Sequence, residues 1–331
     1  MAKSTRLIKS FYRLLFPAVL LVVIAGGAAA VWLAHESSHP RTASYLVTPD
    51  KYGRISARGA QVTEETWTNR DGTPARGWLL RGSENAPAVV LLHKYGADRS
   101  HVLNLGVKLN EATNFTVLMP DQRGHGENPP VPYTSFGGCE TTDTVSAIEF
   151  LKSQKTASQT NLVGKEIGIY GLEMGSLAAI NAASQSEDVR AVVLDSVPAD
   201  SDSLVASVID NRFPFVSAVT AKLGQIGAYP YFYEGCYSRV PVCDSAKKLD
   251  GRKALLLAGL DAPEFQESTS KLSRCFPAST QAEANTTLSP SGFSVINSSI
   301  QISEAYDQRV IDFFRSSLGQ QTMVASQGPS N

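Results

Sequence analysis

Five histidines, four cysteines and a set of glycine-flanked polar motifs define what this 331-residue chain can do chemically. The histidines stand at His35, His39, His93, His101 and His125, so no imidazole exists beyond residue 125 for general-base work or metal ligation. The cysteines, Cys139, Cys236, Cys243 and Cys275, form no CxxC pair and no cluster with histidine. That spacing argues against a zinc centre, and neither a metal nor a cofactor is expected. Three motifs remain: His93-Lys94-Tyr95-Gly96, Asp121-Gln122-Arg123-Gly124-His125-Gly126 and Gly171-Leu172-Glu173-Met174-Gly175.

Each motif directly follows an apolar run of strand length. AVVLLH (88–93) precedes the first, FTVLMP (115–120) the second and IGIYG (167–171) the third, and continuous apolar runs suit strands buried on both faces of a parallel sheet. Upstream, QVTEETWT and ARGWLLR flank Asp71-Gly72 and predict a hairpin. Helical spacing occupies 99–111, 140–155, 174–186 and 303–318. Further strands fall at 191–196 and 253–259, with a weak eighth at 293–296. Strands alternating with helices predict an α/β fold with right-handed crossovers and a mostly parallel eight-stranded sheet flanked by helices. The Pro-, Gly- and aromatic-rich stretch 198–250 interrupts that alternation after the sixth strand and reads as a cap insertion.

Charge adds topology. Thirty basic against 31 acidic residues leave a net charge of −1, without the basic footprint of a nucleic-acid binder. Residues 1–13 carry Lys3, Arg6, Lys9 and Arg13 and no acid, and read as a cytoplasmic stub. Residues 14–34 follow without a charge and are long enough to cross a hydrocarbon core of about 30 Å. They read as a transmembrane signal anchor, with the rest periplasmic or extracellular. The rival is a signal peptide cleaved near Ala28-Ala29-Ala30, which would leave a secreted protein. A polar linker (35–60), the main domain (61–318) and a disordered tail (319–331) complete the division. Export makes disulfides the reading for four cysteines, in any of three pairings, with Cys236 and Cys243 the closest in sequence.

Taken in this order, the strands, the cap and the three motifs resemble the α/β-hydrolase family, particularly its membrane-anchored or secreted bacterial esterase and aminopeptidase-like branches, over residues 61–318. The resemblance implies an oxyanion loop at 93–96 and a structural D-x-R-G-H-G turn at Asp121, Arg123, Gly124, His125 and Gly126. It implies a nucleophile elbow at 171–175, held by Gly171 and Gly175, with the backbone N–H groups of Tyr95 and Met174 as oxyanion donors. Asp261 falls at the position of the orienting acid, and Asn297 near that of the family's histidine.

Two members of that triad are missing. The nucleophile position holds Glu173, which cannot form an acyl-enzyme ester, and Ser176 reads as a packing residue rather than a displaced nucleophile. His93, His101 and His125 offer no evident substitute base. Opposite charges at Lys94 and Glu173 suggest a pair across the former site. The expectation is a pseudoenzyme that binds a small molecule or a protein partner at its cap and pocket. The alternative is an unconventional esterase- or peptidase-like hydrolase that uses Glu173 with a base other than histidine.

Overall fold

A computed structural model describes residues 2–41, 44–53, 61–214, 217–233, 235–288 and 291–319, with side chains from Leu15 onward. The strands are β1 (Val62–Thr68), β2 (Pro74–Leu80), β3 (Ala86–Leu92), β4 (Thr116–Pro120), β5 (Val163–Leu172), β6 (Val189–Asp195), β7 (Lys253–Gly259) and β8 (Gln281–Leu288). The helices are α1 (Ala2–Ser38), α2 (Pro49–Gly53), α3 (Leu103–Thr113), α4 (Gly138–Ser153), α5 (Met174–Ala183), α6 (Ser201–Arg212), α7 (Ser217–Tyr231), α8 (Val242–Ala246), α9 (Pro263–Leu272) and α10 (Ile300–Leu318). Most of the 319–331 tail, and residues 54–60 of the polar linker, lie outside the described residues.

The strands form one sheet in the order β1-β2-β4-β3-β5-β6-β7-β8. The β1–β2 and β2–β4 pairs are antiparallel and the other five parallel. Asp71-Gly72 makes the β1–β2 turn, where Gly72 takes a φ of 83°. Every residue of β3 and β4 is buried, as expected for strands with helices on both faces. One face packs on α3 and α10 through Leu91, Val107, Met119, Val193, Val310 and Phe314.

Sequence and structure part company at the eighth strand. Residues 293–296 are not a strand: Val295–Asn297 is a single 3-10 turn. The strand is Gln281–Leu288 (QAEANTTL), an edge strand with five of its eight residues exposed and no apolar signature.

The chain divides into two compact units, Met1–Ser38 with Val205–Gly235, and His39–Leu204 with Cys236–Asn331. In the first, α1 packs on α7, with the Arg212–Glu36 ion pair at 2.7 Å and His35 Nδ1 3.0 Å from the Tyr231 hydroxyl. Leu15–Ser38 is long and apolar enough to cross a membrane, a statement of length and composition alone.

Both disulfides belong to the second unit. They join Cys139 to Cys236 and Cys243 to Cys275, with Cα separations of 5.0 and 5.3 Å. This corrects the Cys236–Cys243 expectation, because sequence proximity does not decide which thiols meet. Cys243 lies in α8, which packs on α9 near Cys275, while Cys236 meets the first turn of α4. The bridges link residues 97 and 32 apart, so each constrains a long stretch of unfolded chain. The double variant Cys139→Ala/Cys236→Ala is expected to lose about 2–4 kcal/mol of stability. Denaturant unfolding under non-reducing conditions measures this, and an unchanged midpoint would count against the bridge.

Candidate active site

Gly171-Leu172-Glu173-Met174-Gly175 turns sharply from β5 into α5. Glu173 sits at the apex with φ 50° and ψ −108°, a conformation costly for a side chain-bearing residue. Both flanking glycines are required by contact. A Cβ on Gly171 would stand 2.3 Å from the Gly175 carbonyl oxygen, and one on Gly175 would stand 2.5 Å from that of Leu92. Ser176 is fully buried, and its hydroxyl donates to the Glu173 carbonyl at 2.5 Å, so it packs the first turn of α5.

The Glu173 carboxylate turns onto the backbone donors beside it. Its Oε2 accepts the Tyr95 N–H at 2.8 Å, and the neighbouring Met174 N–H also draws the carboxyl toward its charged form. These are the two groups that the hydrolase resemblance assigns to the oxyanion hole. Burial pushes the Glu173 carboxyl up to about 7, against the opposing pull of the two N–H groups and the Lys94 charge.

Lys94 makes no ion pair with Glu173 within 4 Å. Its Nζ donates to the Phe293 carbonyl at 3.1 Å and lies 3.5 Å from the centre of the Phe293 ring. This amends the direct contact suggested by sequence, although the two charges still feel one another. Burial pulls the Lys94 pKa down, and the charges of Glu173 and Asp261 oppose that fall. In Lys94→Met the favourable charge beside Glu173 disappears, so the carboxyl should titrate above 7. A ¹³C-carboxyl NMR titration reads this directly, and an unchanged midpoint would show that Lys94 does not tune the site.

The loop after β8 is tied down from three sides. Asp261, at the end of β7, accepts the Ser291 N–H at 3.0 Å and the Ser291 hydroxyl at 3.1 Å. Asp195, at the end of β6, accepts the Gly292 N–H at 2.7 Å and the hydroxyls of Tyr306 (2.6 Å) and Ser196 (2.8 Å). Lys94 holds the Phe293 carbonyl. A Cβ on Gly292 would lie 2.4 Å from the Tyr306 hydroxyl oxygen and 2.6 Å from that of Tyr170, so only glycine fits there. Burial raises the Asp195 carboxyl to about 6 despite these donors. Asp261 therefore bonds Ser291 rather than Asn297. Asn297 instead borders a cavity of about 500 Å³ with His101, Tyr306 and Ile296.

The histidines are committed elsewhere. His93 pairs Nδ1 with the Lys94 carbonyl at 2.8 Å, and its Nε2 takes the Gln122 N–H at 3.1 Å. His125 pairs Nδ1 with the Arg123 carbonyl at 2.6 Å and accepts the Gly96 N–H on Nε2 at 3.0 Å. Each ring therefore has one nitrogen donating and one accepting, the neutral tautomer fully used. Burial lowers both to about 3 and His101 to about 4. Around them, Asp121 takes the Arg99 N–H (3.1 Å) and the Tyr45 hydroxyl (2.7 Å), and Arg123 bridges Asp143 and Asp71. Positive φ at Gly124 and Gly126 closes the turn. Among the described residues no group of three or more His, Cys, Asp or Glu side chains is placed to hold a metal.

Asp195, Ser291 and Gly292 were not singled out from sequence. The sign for Asp195 was present in AVVLDS, a lone acid at the carboxyl end of an apolar strand. Ser291 and Gly292 have no sign, because the strand that precedes them, Gln281–Leu288, is polar and mostly exposed.

Comparison with known proteins agrees with the geometry. A family profile described as alpha/beta hydrolase fold matches residues 87–234. A thiohydrolase (aneE) of Aspergillus aculeatus is 27% identical over 163 residues, 46% of this chain and 48% of its own. A polyketide transferase (grgF) of a Penicillium species is 23% identical over 128 residues, 38% of this chain and 42% of its own. The chain thus spans about half the length of these curated relatives or less. Among solved structures, a Pyrococcus furiosus esterase superposes with a TM-score of 0.62 at 19% identity, covering 85% of this chain and 98% of that one. A dienelactone hydrolase from Anabaena variabilis does so at 0.53 and 15%, covering 78% and 99%. Sheet order, elbow and profile together show the α/β-hydrolase fold.

Proposed function

We propose that this chain is a membrane-anchored, extracytoplasmic protein of the α/β-hydrolase fold that acts by binding rather than by acyl-enzyme turnover. One observation carries the reading: the Glu173 carboxylate occupies the donors that would stabilise a tetrahedral oxyanion. An ester carbonyl would have to displace a buried carboxylate to reach them, and the His93 and His125 rings are both held on each nitrogen by backbone partners. The roughly 500 Å³ cavity lined by Leu103, Ile296, Asn297, His101 and Tyr306 has the size and mixed lining of a small-molecule site. Anchoring is supported by the apolar length of Leu15–Ser38, and export by the two disulfides.

A second reading, hydrolysis with Glu173 as the working carboxylate, is the one favoured by the company the chain keeps: a thiohydrolase, a polyketide transferase and an esterase. A carboxyl that titrates near 7 is also poised for proton transfer at neutral pH. In the covalent form of this chemistry a Glu173 oxygen would attack an alkyl carbon. With a haloalkane a C–O bond forms as the carbon–halogen bond breaks and halide leaves, and water then hydrolyses the alkyl ester, releasing the alcohol and restoring the carboxylate.

One experiment separates the two. The full-length protein in detergent is incubated with chromogenic esters, thioesters and haloalkanes, with Glu173→Gln alongside. The binding reading expects no turnover that depends on Glu173 and no mass adduct. Turnover or an alkyl adduct lost in Glu173→Gln overturns it in favour of the hydrolase.

A further inference from the structure

α7 is built inside out for a helix in water. Its buried face is made of small residues, Ala221, Gly224, Gly227 and Ala228. Several of its large apolar residues face outward: Val219 is 67% exposed, Ile226 55%, Tyr229 61% and Tyr233, just past the helix end, 79%, while Leu223 and Tyr231 are half-buried and Phe232, also past the end, is buried. The helix carries one charge, Lys222, in 15 residues. A helix docked by the hydrophobic effect in water buries the residues that gain most from leaving it, and this one leaves several of them out. In lipid the large side chains gain nothing by turning inward, and helices associate by close approach of small residues.

The neighbour across that small-residue face is α1. A Cβ on Gly227 would lie 1.9 Å from the Ala30 carbonyl oxygen, so the backbones meet there in near contact. Four residues further along α7, Tyr231 reaches His35, five residues further along α1. The two helices therefore run in the same direction. Ile226 stands beside Ala30, and Val219 lies about 10 Å further toward the α1 N-terminus at 1.5 Å per residue. That is the direction of the uncharged run down to Leu14. Trp32, exposed on α1, and Tyr229 and Tyr233 lie toward the other end, near the Glu36–Arg212 pair where polar groups begin.

From this juxtaposition we infer that α7 enters the outer leaflet beside α1, N-terminal end first, with acyl chains against Val219 and Ile226 and the headgroup layer at Tyr229 and Tyr233. Tyrosine at that level matches the aromatic preference of the interface, and the Lys222 stem is long enough to carry its ammonium toward the headgroups. The inference rests on the anchor reading, since a cleaved leader would remove the helix α7 packs against.

The test uses the full chain reconstituted into phosphatidylcholine vesicles with and without acyl-chain bromination. Single tryptophans are added in separate variants, Val23→Trp, Val219→Trp, Ile226→Trp and Tyr233→Trp, and quenching is read above the wild-type background. The expected result is strong quenching at position 23 and a profile falling from 219 through 226 to 233. Quenching at 23 with 219 and 226 at background overturns the α7 inference and leaves the anchor standing. A flat or reversed profile along α7 overturns the N-terminal-first entry. A chain that stays off the vesicles, unquenched at 23, sinks the anchor and this inference together.

Discussion

Glu173→Gln should melt several degrees above the wild type at pH 8 and at nearly the same temperature near pH 4.5. The sign follows from burial. A carboxyl with an ordinary pKa of 4.5 titrates near 7 in the folded chain, so folding favours its protonated form. The stability that the neutral form contributes is complete below about pH 4.5 and is lost as pH rises through 7. Above that the wild type holds a buried carboxylate, whereas glutamine stays neutral throughout. A shift of this size is worth about 3 kcal/mol at most. The pull of Lys94 on the carboxylate is already contained in that shift. Asp195, also raised to about 6, is common to both proteins and drops out of the difference. Thermal melts across pH 4.5–8 measure the effect. A difference that does not vary with pH would show Glu173 ionised throughout.

The second large effect is a gain. Glu173→Ser alone should stay at background on chromogenic esters: it places a hydroxyl at the elbow and vacates the Tyr95 and Met174 donors, yet supplies no base. Ser291 is where the base belongs, because Asp261 already addresses both polar groups of that residue. The double variant Glu173→Ser/Ser291→His should therefore turn over activated esters at least about tenfold faster than either single variant, since triad members act as a unit. Fluorophosphonate labelling at position 173 gives a second readout. A double variant no better than its parents would mean that Asp261 and the elbow are out of register.

Much of this was legible in the sequence, for identifiable reasons. The elbow could be read from Gly171 and Gly175 because the close approaches there admit no other residue. β3 and β4 could be read because a strand buried on both faces is apolar throughout. β8 could not, because an edge strand of polar residues carries no apolar signature, and the nearby apolar FSVI drew the assignment to what is a turn. That displacement puts the expected place of the missing base near Asn297, whereas the residue Asp261 bonds is Ser291. The disulfide pairing was beyond reach for a different reason: it is decided by which helices meet, α8 on α9 and α4 on the segment at Cys236, and spacing carries no record of that. Lys94 shows a third kind of limit. Charge signs suggested a partner, but the side chain follows a carbonyl and a ring on the Phe293 loop instead.

The carboxylate seated on the Tyr95 amide has a practical consequence for anyone taking a census of hydrolases. Such surveys identify their targets with electrophiles that bond to an activated serine. This elbow offers no serine, and its donors are already occupied. The chain would pass through an activity-based inventory without a trace, however abundant it is. Under the binding reading its presence would have to be counted from peptides.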